Sequence, residues 1–569
     1  MKNKMIKSVL FLVLAGFPCL VNAQSPSWLW AIDSEGASNE SCLQLVTSVD
    51  GSTYLQGSFS DSFSVGELQG DYNGTFLDDN FLAKFSPAGE PEWMLTLGQP
   101  GFAFIFSNSL ETDSEGNIYI ACNLLRDFET QGEITFTLGG ESIILPDSVD
   151  NVSFIAKLDP EGNTVWINTL DGAQLSNLRL AVDNDDRLYV AGAFFGNVQI
   201  NNTTVNNLGA GDLLLCSLDT DGNIDWVMGL GSPEDEQSVV IEPCEGGGVL
   251  MSSTWSGDSI FVGNLHVVNP DAINGGTIFE ENNRDRWVAK VNPDATAQWL
   301  VREGGLLSEE AGKLESTPTG GAMVLSSLLP PIDIGGQFFD TPGWLLTRYS
   351  PTGELENTVH IPTQAPGSSS ILGIENDRYI LALNTSDPTF TYGDFAFSNS
   401  GGANGTTDSY IAAIDQDGAP QWMIQVGAED GEVINVLSAA PSGEIMAGGA
   451  YSSMELDLGD FTLENSGTFT RDFFLGSLNI ALSILENPGV TEFKVFPNPA
   501  ISQVALDLSE IGTRPVTIRI VDARGAIAAE RIISTGGIVN MDVGNLSPGV
   551  YAIVFVMDGK LHASKLIKR

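Results

Sequence analysis

The sequence predicts an all-β chain, a seven-bladed β-propeller followed by a small Ig-like β-sandwich. Three observations predict it. Trp30, Trp93, Trp166, Trp226, Trp299 and Trp422 recur, with Asn357 filling one vacancy, at intervals of 58 to 73 residues, the period of a repeat architecture. A second marker, a glycine-bearing turn, recurs seven times within the same units. Beyond Leu485 both markers stop and the charge balance changes abruptly.

In chain order, the first element is a leader. Lys2, Lys4 and Lys7 precede an apolar run from Ser8 to Gly16, and Val21-Asn22-Ala23 offers small residues for cleavage. That is the pattern of a secretory signal peptide over residues 1–23. Cys19 follows Pro18, whereas lipoprotein processing expects a small residue there. No later apolar run approaches the ~20 residues of a membrane span.

Residues 24–485 carry the repeat. Four residues before each internal marker stands Gly89, Gly162, Gly222, Ala295, Gly353 or Gly418, in turns such as "DPEGNTVW". The second turn, as in "DSEGNIYIAC", places Gly51, Gly116, Asp186, Gly247, Gly320, Asn376 or Gly443 three residues before a tyrosine or its substitute. Glycine, aspartate and asparagine are the residues that accept a positive φ. Each unit reads as four short strands: a as in "LQLVTS", b as in "RLYVAGAF", c as in "VSFIAKLDP", and d bearing the tryptophan. A further short segment such as "FTLGG" or "LDLGD" lies between b and c. "SWLWAID" has no a, b or c strand before it, and the last repeat has no tryptophan strand after "DFFLGSLN". The N-terminal strand is therefore expected to complete the seventh unit and close a ring. Turns such as "DSEGNIYIA" followed by "FIAKLDPEGNTVW" resemble bacterial propeller repeats of the NHL-like or SBBP type. The resemblance implies a fold and leaves function open, since propellers host unrelated activities.

Residues 486–569 read as alternating apolar strands between Gly-, Pro- and Asn-bearing turns. Pro497-Asn498-Pro499, the Asp522–Gly525 turn, Gly549-Val550-Tyr551 and the basic tail from Lys565 resemble the C-terminal sorting domain of the type IX secretion system. The resemblance implies passage through the periplasm and across the outer membrane, with the type IX machinery as partner, and then release or attachment at the cell surface.

Charge excludes one partner class. The whole chain has 25 Lys+Arg against 73 Asp+Glu, a net of −48, and nucleic-acid binding needs a basic face. Cys42, Cys122, Cys216 and Cys244 fall in different repeats and suggest buried free thiols. No spacing of histidines or cysteines forms a metal motif, and no nucleophile or phosphate-loop motif occurs. No cofactor is called for; calcium is the metal that the acidity and the "DTDGNID" turn (Asp219, Asp221, Asp225) leave open.

Two groups are candidate binding residues. Glu40, Glu236, Glu309 and Glu432 stand fourteen residues before the tyrosine position in four repeats. They either accept backbone hydrogen bonds where the chain turns into strand a, or form an acidic rim for a cation or a basic or polyhydroxylated ligand. The second group lies in the long b–c connection of the fourth repeat, which carries His266, Asp271, Glu280, Glu281, Arg284 and Arg286. Variable loops on a rigid scaffold concentrate binding groups. The expected function is a secreted or surface binding or adhesion protein for an extracellular glycan or protein. A structural scaffold and a carbohydrate-active enzyme using two carboxylates are the alternatives.

Overall fold

The computed structural model describes residues 26–568, less 73–77, 100–101, 128, 171–174, 201–202, 235, 237, 256, 270–283, 306–309, 329, 375–376, 403–404, 468–469, 481–489, 497, 509–515, 523–526, 534–536, 547–548 and 558–559. The expected leader lies outside these residues. Every regular element among them is a β-strand, and no helix is long and apolar enough to cross a membrane. The chain divides into a large unit, Ser25–Ala481, and a smaller one formed by the C-terminal residues from Leu482.

Among the described residues the large unit contains six antiparallel four-stranded sheets and, fourth in chain order, one of six strands. The first is Glu40–Thr47, Thr53–Phe59, Asp79–Phe85 and Pro91–Thr96, paired in chain order. The inner strands of the next five begin at Phe102, Leu175, Val239, Lys313 and Pro366. The seventh sheet joins Glu432–Ala439, Ile445–Tyr451 and Asp472–Asn479 to the N-terminal strand Ser27–Asp33, whose Ile32 pairs with Leu475. The first strand of each sheet lies beside that of the next, and the seventh lies beside the first. Strands b and c are buried along their whole length, as in "LYVAGAF" and "DLLLCSL". Both faces of these strands are covered by neighbouring sheets, so they read as apolar runs without alternation.

The tryptophan of one repeat and the turn four residues before the next marker are halves of one contact between consecutive sheets. Trp30, Trp93, Trp166 and Trp226 donate their indole N–H to the carbonyls of Pro87, Pro160, Thr220 and Pro293, at 3.2, 3.1, 3.1 and 2.9 Å. Asn357, where the tryptophan is missing, donates its amide to the Asp417 carbonyl at 2.9 Å. Gly89, Gly162 and Gly222 of the first three receiving turns lie against the ring, and the turn that receives Trp226 has Ala295 (φ 67°) in that place. At Gly89 (φ +83°) an added Cβ would stand 2.5 Å from Trp30. At the second turn φ is positive at Gly51, Gly116, Asp186, Gly247, Gly320 and Gly443. In the sixth repeat Asp377 has φ 54°, and the expected Asn376 lies outside the described residues.

The segment between b and c is a two-stranded hairpin in every repeat, for example Ile134–Leu138 with Glu141–Leu145. In the fifth repeat the hairpin Ile332–Ile334/Gln337–Phe339 pairs through Ile332 and Asp333 with Gly305 and Gly304, at the outer edge of the fourth sheet. Glu35–Gly36 pairs in the same way with Phe63–Val65 of the first repeat. The N-terminal segment is thus bonded to both the last and the first repeats. Cys42, Cys122, Cys216 and Cys244 are buried, and no disulfide joins them.

The smaller unit has a five-stranded sheet, in which Gly549–Met557 and Lys560–Lys568 lie side by side, and a three-stranded sheet containing Gln503–Leu508. Val504, Leu506, Ile518, Ile520, Ile553 and Leu566 fill a common core.

Candidate functional site

Three glutamates project from the inner strands of three different sheets. Glu111 pairs with Tyr119, Glu242 with Leu250 and Glu315 with Met323, so all three occupy one register of strand a, eight residues before the tyrosine position. They act on one another electrostatically although the repeats carrying Glu111 and Glu315 are not adjacent. Burial first, and then Glu315, pushes Glu111 up to about 8. Burial, Glu315 and Glu111 raise Glu242 well above the usual carboxyl range. Glu315 is pushed up to about 7 by burial, against backbone N–H donors at Gly373 and Ser316. Two residues earlier on their strands stand Arg179 and Lys313, both lowered by desolvation, with Arg179 lowering Lys313 further. Protein encloses Lys313 on most sides, yet solvent reaches its side chain. Lys313 thus stands where neighbouring protein desolvates its charge without closing it off from water.

The expected glutamates lie elsewhere. Glu40, Glu236 and Glu432 are fully buried, at seams between sheets. Each faces an aspartate that begins strand c of the preceding sheet: Asp472, Asp212 and Asp408 respectively. Glu236 accepts from the Ser232 N–H at 2.9 Å and the Ser232 hydroxyl at 2.5 Å. Glu432 accepts from the Ala428 N–H at 2.7 Å and the Ser453 hydroxyl at 2.5 Å. Glu309 lies outside the described residues, as do Asp271, Glu280 and Glu281. His266 is exposed on the outlying hairpin of the fourth repeat, stacked on Phe261. Arg284 is half-buried, and Arg286 is buried in an ion pair with Glu303. Glu236 and His266, expected on one face, therefore sit in different surroundings, one in a seam and one on the surface.

Asp219 of the "DTDGNID" turn accepts from the N–H groups of Asp221 and Asn223, at 3.0 and 2.8 Å. Asp159 and Asp415 do the same in their own turns, so this aspartate is a turn-former. No three His, Cys, Asp or Glu side chains among the described residues are grouped to hold a metal ion. Glu111, Glu242 and Glu315 stand further along strand a than the acids at its start, so the register of Glu40, Glu236 and Glu432 does not reveal them. Counting back eight residues instead of fourteen finds Glu111, Glu242 and Glu315.

In the smaller unit, Asn498 Oδ1 accepts from the Ile567 N–H at 2.7 Å and ties the loop before the first long strand to the terminal strand. Tyr551 is buried and pairs with Asp522, Gly549 opens the penultimate strand, and Lys565 lies in the last. Pro497 and Gly525 lie outside the described residues. Residues 494–569 match the family model described as a secretion system C-terminal sorting domain. This segment is a type IX sorting domain. The sorting domain implies export by the type IX machinery, with which it interacts, and a cell-surface or secreted destination.

No curated protein matches the chain. Solved structures similar to it include a protein of unknown function from Dyadobacter fermentans, 9% identical, TM-score 0.35, covering 80% of this chain and 98% of that one. A puromycin hydrolase variant complexed with PGG is 10% identical, with TM-score 0.38 and 83% and 59% coverage. A Synechocystis apocarotenoid oxygenase variant is 12% identical, with TM-score 0.34 and 79% and 97% coverage. Likenesses this weak carry no argument about function.

Proposed function

We propose that this chain is an exported binding protein whose large unit is a closed seven-bladed β-propeller of the NHL-like or SBBP repeat type, with its ligand entering the axial channel. The ring reading is supported by the neighbouring first strands and by the N-terminal strand that completes the seventh sheet. The observation that carries the functional reading is the mutual electrostatic contact of Glu111, Glu242 and Glu315. Three carboxyl groups at one level, with Arg179 and Lys313 a step along the same strands, suit a ligand bearing amines or many hydroxyls beside an acidic group. An acidic glycan with amino substituents and a peptide of mixed charge both have that chemistry. A glycan array, followed by calorimetry with the best ligand, tests the reading. Glu242→Gln is expected to weaken binding at least tenfold, and Asp159→Asn on a distant turn to leave it unchanged. Equal affinity in both variants would refute the axial site.

One observation favours a second reading. Carboxyl groups raised to about 7 and 8 are partly protonated at neutral pH, as a general acid for glycoside cleavage must be. Release of reducing sugar that disappears in Glu242→Gln would select this enzyme reading over binding alone.

A further inference from the structure

At the seam where the first and last repeats meet, the glutamate of the series has lost the donors that satisfy its counterparts. In the other two seams the amide four residues upstream, of Ser232 or Ala428, donates to the carboxylate. The corresponding amide here is that of Gly36, and it donates instead to the Ser466 hydroxyl at 2.8 Å. Glu40 is fully buried, and neither of its carboxylate oxygens receives a hydrogen bond of proper geometry. Asp472, also fully buried, accepts from the Ser466 N–H through Oδ2 at 3.0 Å, while its Oδ1 has no donor. The Glu40 carboxylate packs directly against Gly36, where a Cβ would lie within 2.8 Å of both carboxylate oxygens.

The charges acting on this pocket are themselves carboxylates. Asp472 and Asp61 act on Glu40, Glu35 acts on Asp472, and Asp472 and Glu35 act on Asp33, whose carboxylate accepts from the Tyr451 hydroxyl at 2.6 Å. The Glu40 and Asp472 carboxyl groups lie within hydrogen-bond reach of each other, and two carboxyls that close, in an acidic setting, need either a shared proton or a cation.

We propose that a hard divalent cation of the calcium type bridges Glu40 and Asp472 and locks the N-terminal segment into the ring. Two side-chain carboxylates do not cage such an ion alone, in keeping with the lack of any three-residue cluster among the described residues. Calcium takes six to eight oxygens, however, and accepts main-chain carbonyls and water as readily as carboxylates. The Ser34 hydroxyl, which acts on Glu40, is a further oxygen at hand. The five acids of the seam, Asp33, Glu35, Glu40, Asp61 and Asp472, then serve as the field that holds the ion. This site is independent of the axial channel.

The test uses the full secreted chain after chelator treatment. Calcium chloride is expected to raise Tm saturably by several degrees, and terbium, a calcium mimic, to bind with luminescence sensitised by the nearby Tyr451 and quenched by calcium. Glu40→Gln should lower calcium affinity at least tenfold, and Glu236→Gln at another seam should leave it unchanged. Should Glu40→Gln fail to fold, competition between calcium and terbium on the wild-type chain, with the terbium signal lost in Tyr451→Phe, decides the same question. No calcium-dependent change in Tm and no terbium signal would overturn the proposal. So would a calcium response in Glu40→Gln equal to that of the wild type. A Tm that falls from about pH 6 to about pH 9 regardless of calcium, with the fall removed by Glu40→Gln, would assign the pair a shared proton instead and equally overturn it.

Discussion

Glu236 shows what a single residue contributes at a seam. Desolvation raises its carboxyl to about 8, the donors at Ser232 oppose the rise, and Asp212 adds to it. A raised carboxyl holds its proton more tightly in the folded chain than in the unfolded one. Its contribution is therefore fully present below the ordinary value of 4.5 and is lost as pH rises through about 8. Tm is expected to fall between about pH 5 and about pH 9. Glu236→Gln, which keeps an acceptor for the Ser232 N–H and removes the charge, should flatten that fall. At about pH 9 the variant should be the more stable by on the order of 1–3 kcal/mol. Thermal melts across the pH range check this, and parallel slopes for both proteins would remove Glu236 as a cause. At this scale the sequence was only partly legible. Glu236 was visible as a recurring acid, but whether it met solvent or a buried aspartate depended on Asp212, in another repeat.

The elements were more legible than the residues on them. Tryptophan, turn glycine and left-handed position each leave a mark in residue type, because an indole donor or a positive φ admits few substitutes. The hairpin in each repeat was visible only as a short apolar segment. That two of these hairpins extend across to the segment before them, through Ile332 and Phe63, was not legible, since such pairing joins backbone groups and specifies no side chain. Backbone pairing likewise ties the N-terminal segment to both the last and the first repeats. Deleting Ser27–Asp33 removes the partner of Asp472–Asn479 and leaves a strand edge with unpaired N–H and C=O groups, an aggregation hazard. The deletion variant is expected to aggregate, or to melt roughly ten degrees lower or more through the loss of an outer strand. Light scattering and a thermal scan decide it; a soluble variant with unchanged Tm would refute the closure.

For the molecule as a whole, the sorting segment and the large unit separate along the chain. The sorting domain occupies residues 494–569, and the sheets of the large unit end before it. A chain ending at residue 485 is expected to fold and to remain in the periplasm, absent from both cell surface and medium. Fractionation with an antibody against the large unit reads the outcome. Truncated chain outside the cell at normal levels would show that sorting information lies elsewhere. The large unit carries nearly all the acidity, 65 Asp+Glu against 13 Lys+Arg from Gln24 to Leu485. A net charge that high keeps an exported protein soluble and favours cationic partners through long-range attraction, more so at low ionic strength.

The sequence by itself determined the all-β class, the recurring turns, the strand missing after "DFFLGSLN" and the sorting segment. Each of these rests on local backbone chemistry or on a contiguous motif, which survives in the order of residues. Only the tertiary structure decided which acids meet. Glu111, Glu242 and Glu315 lie on strands from three repeats and look ordinary in each. Their coupling arises because desolvation and Coulomb interaction depend on distance through space. For the same reason Glu40 differs from Glu236 and Glu432: one hydrogen bond from Gly36 to Ser466, across 430 residues of chain, takes away the amide that its counterparts receive from Ser232 and Ala428.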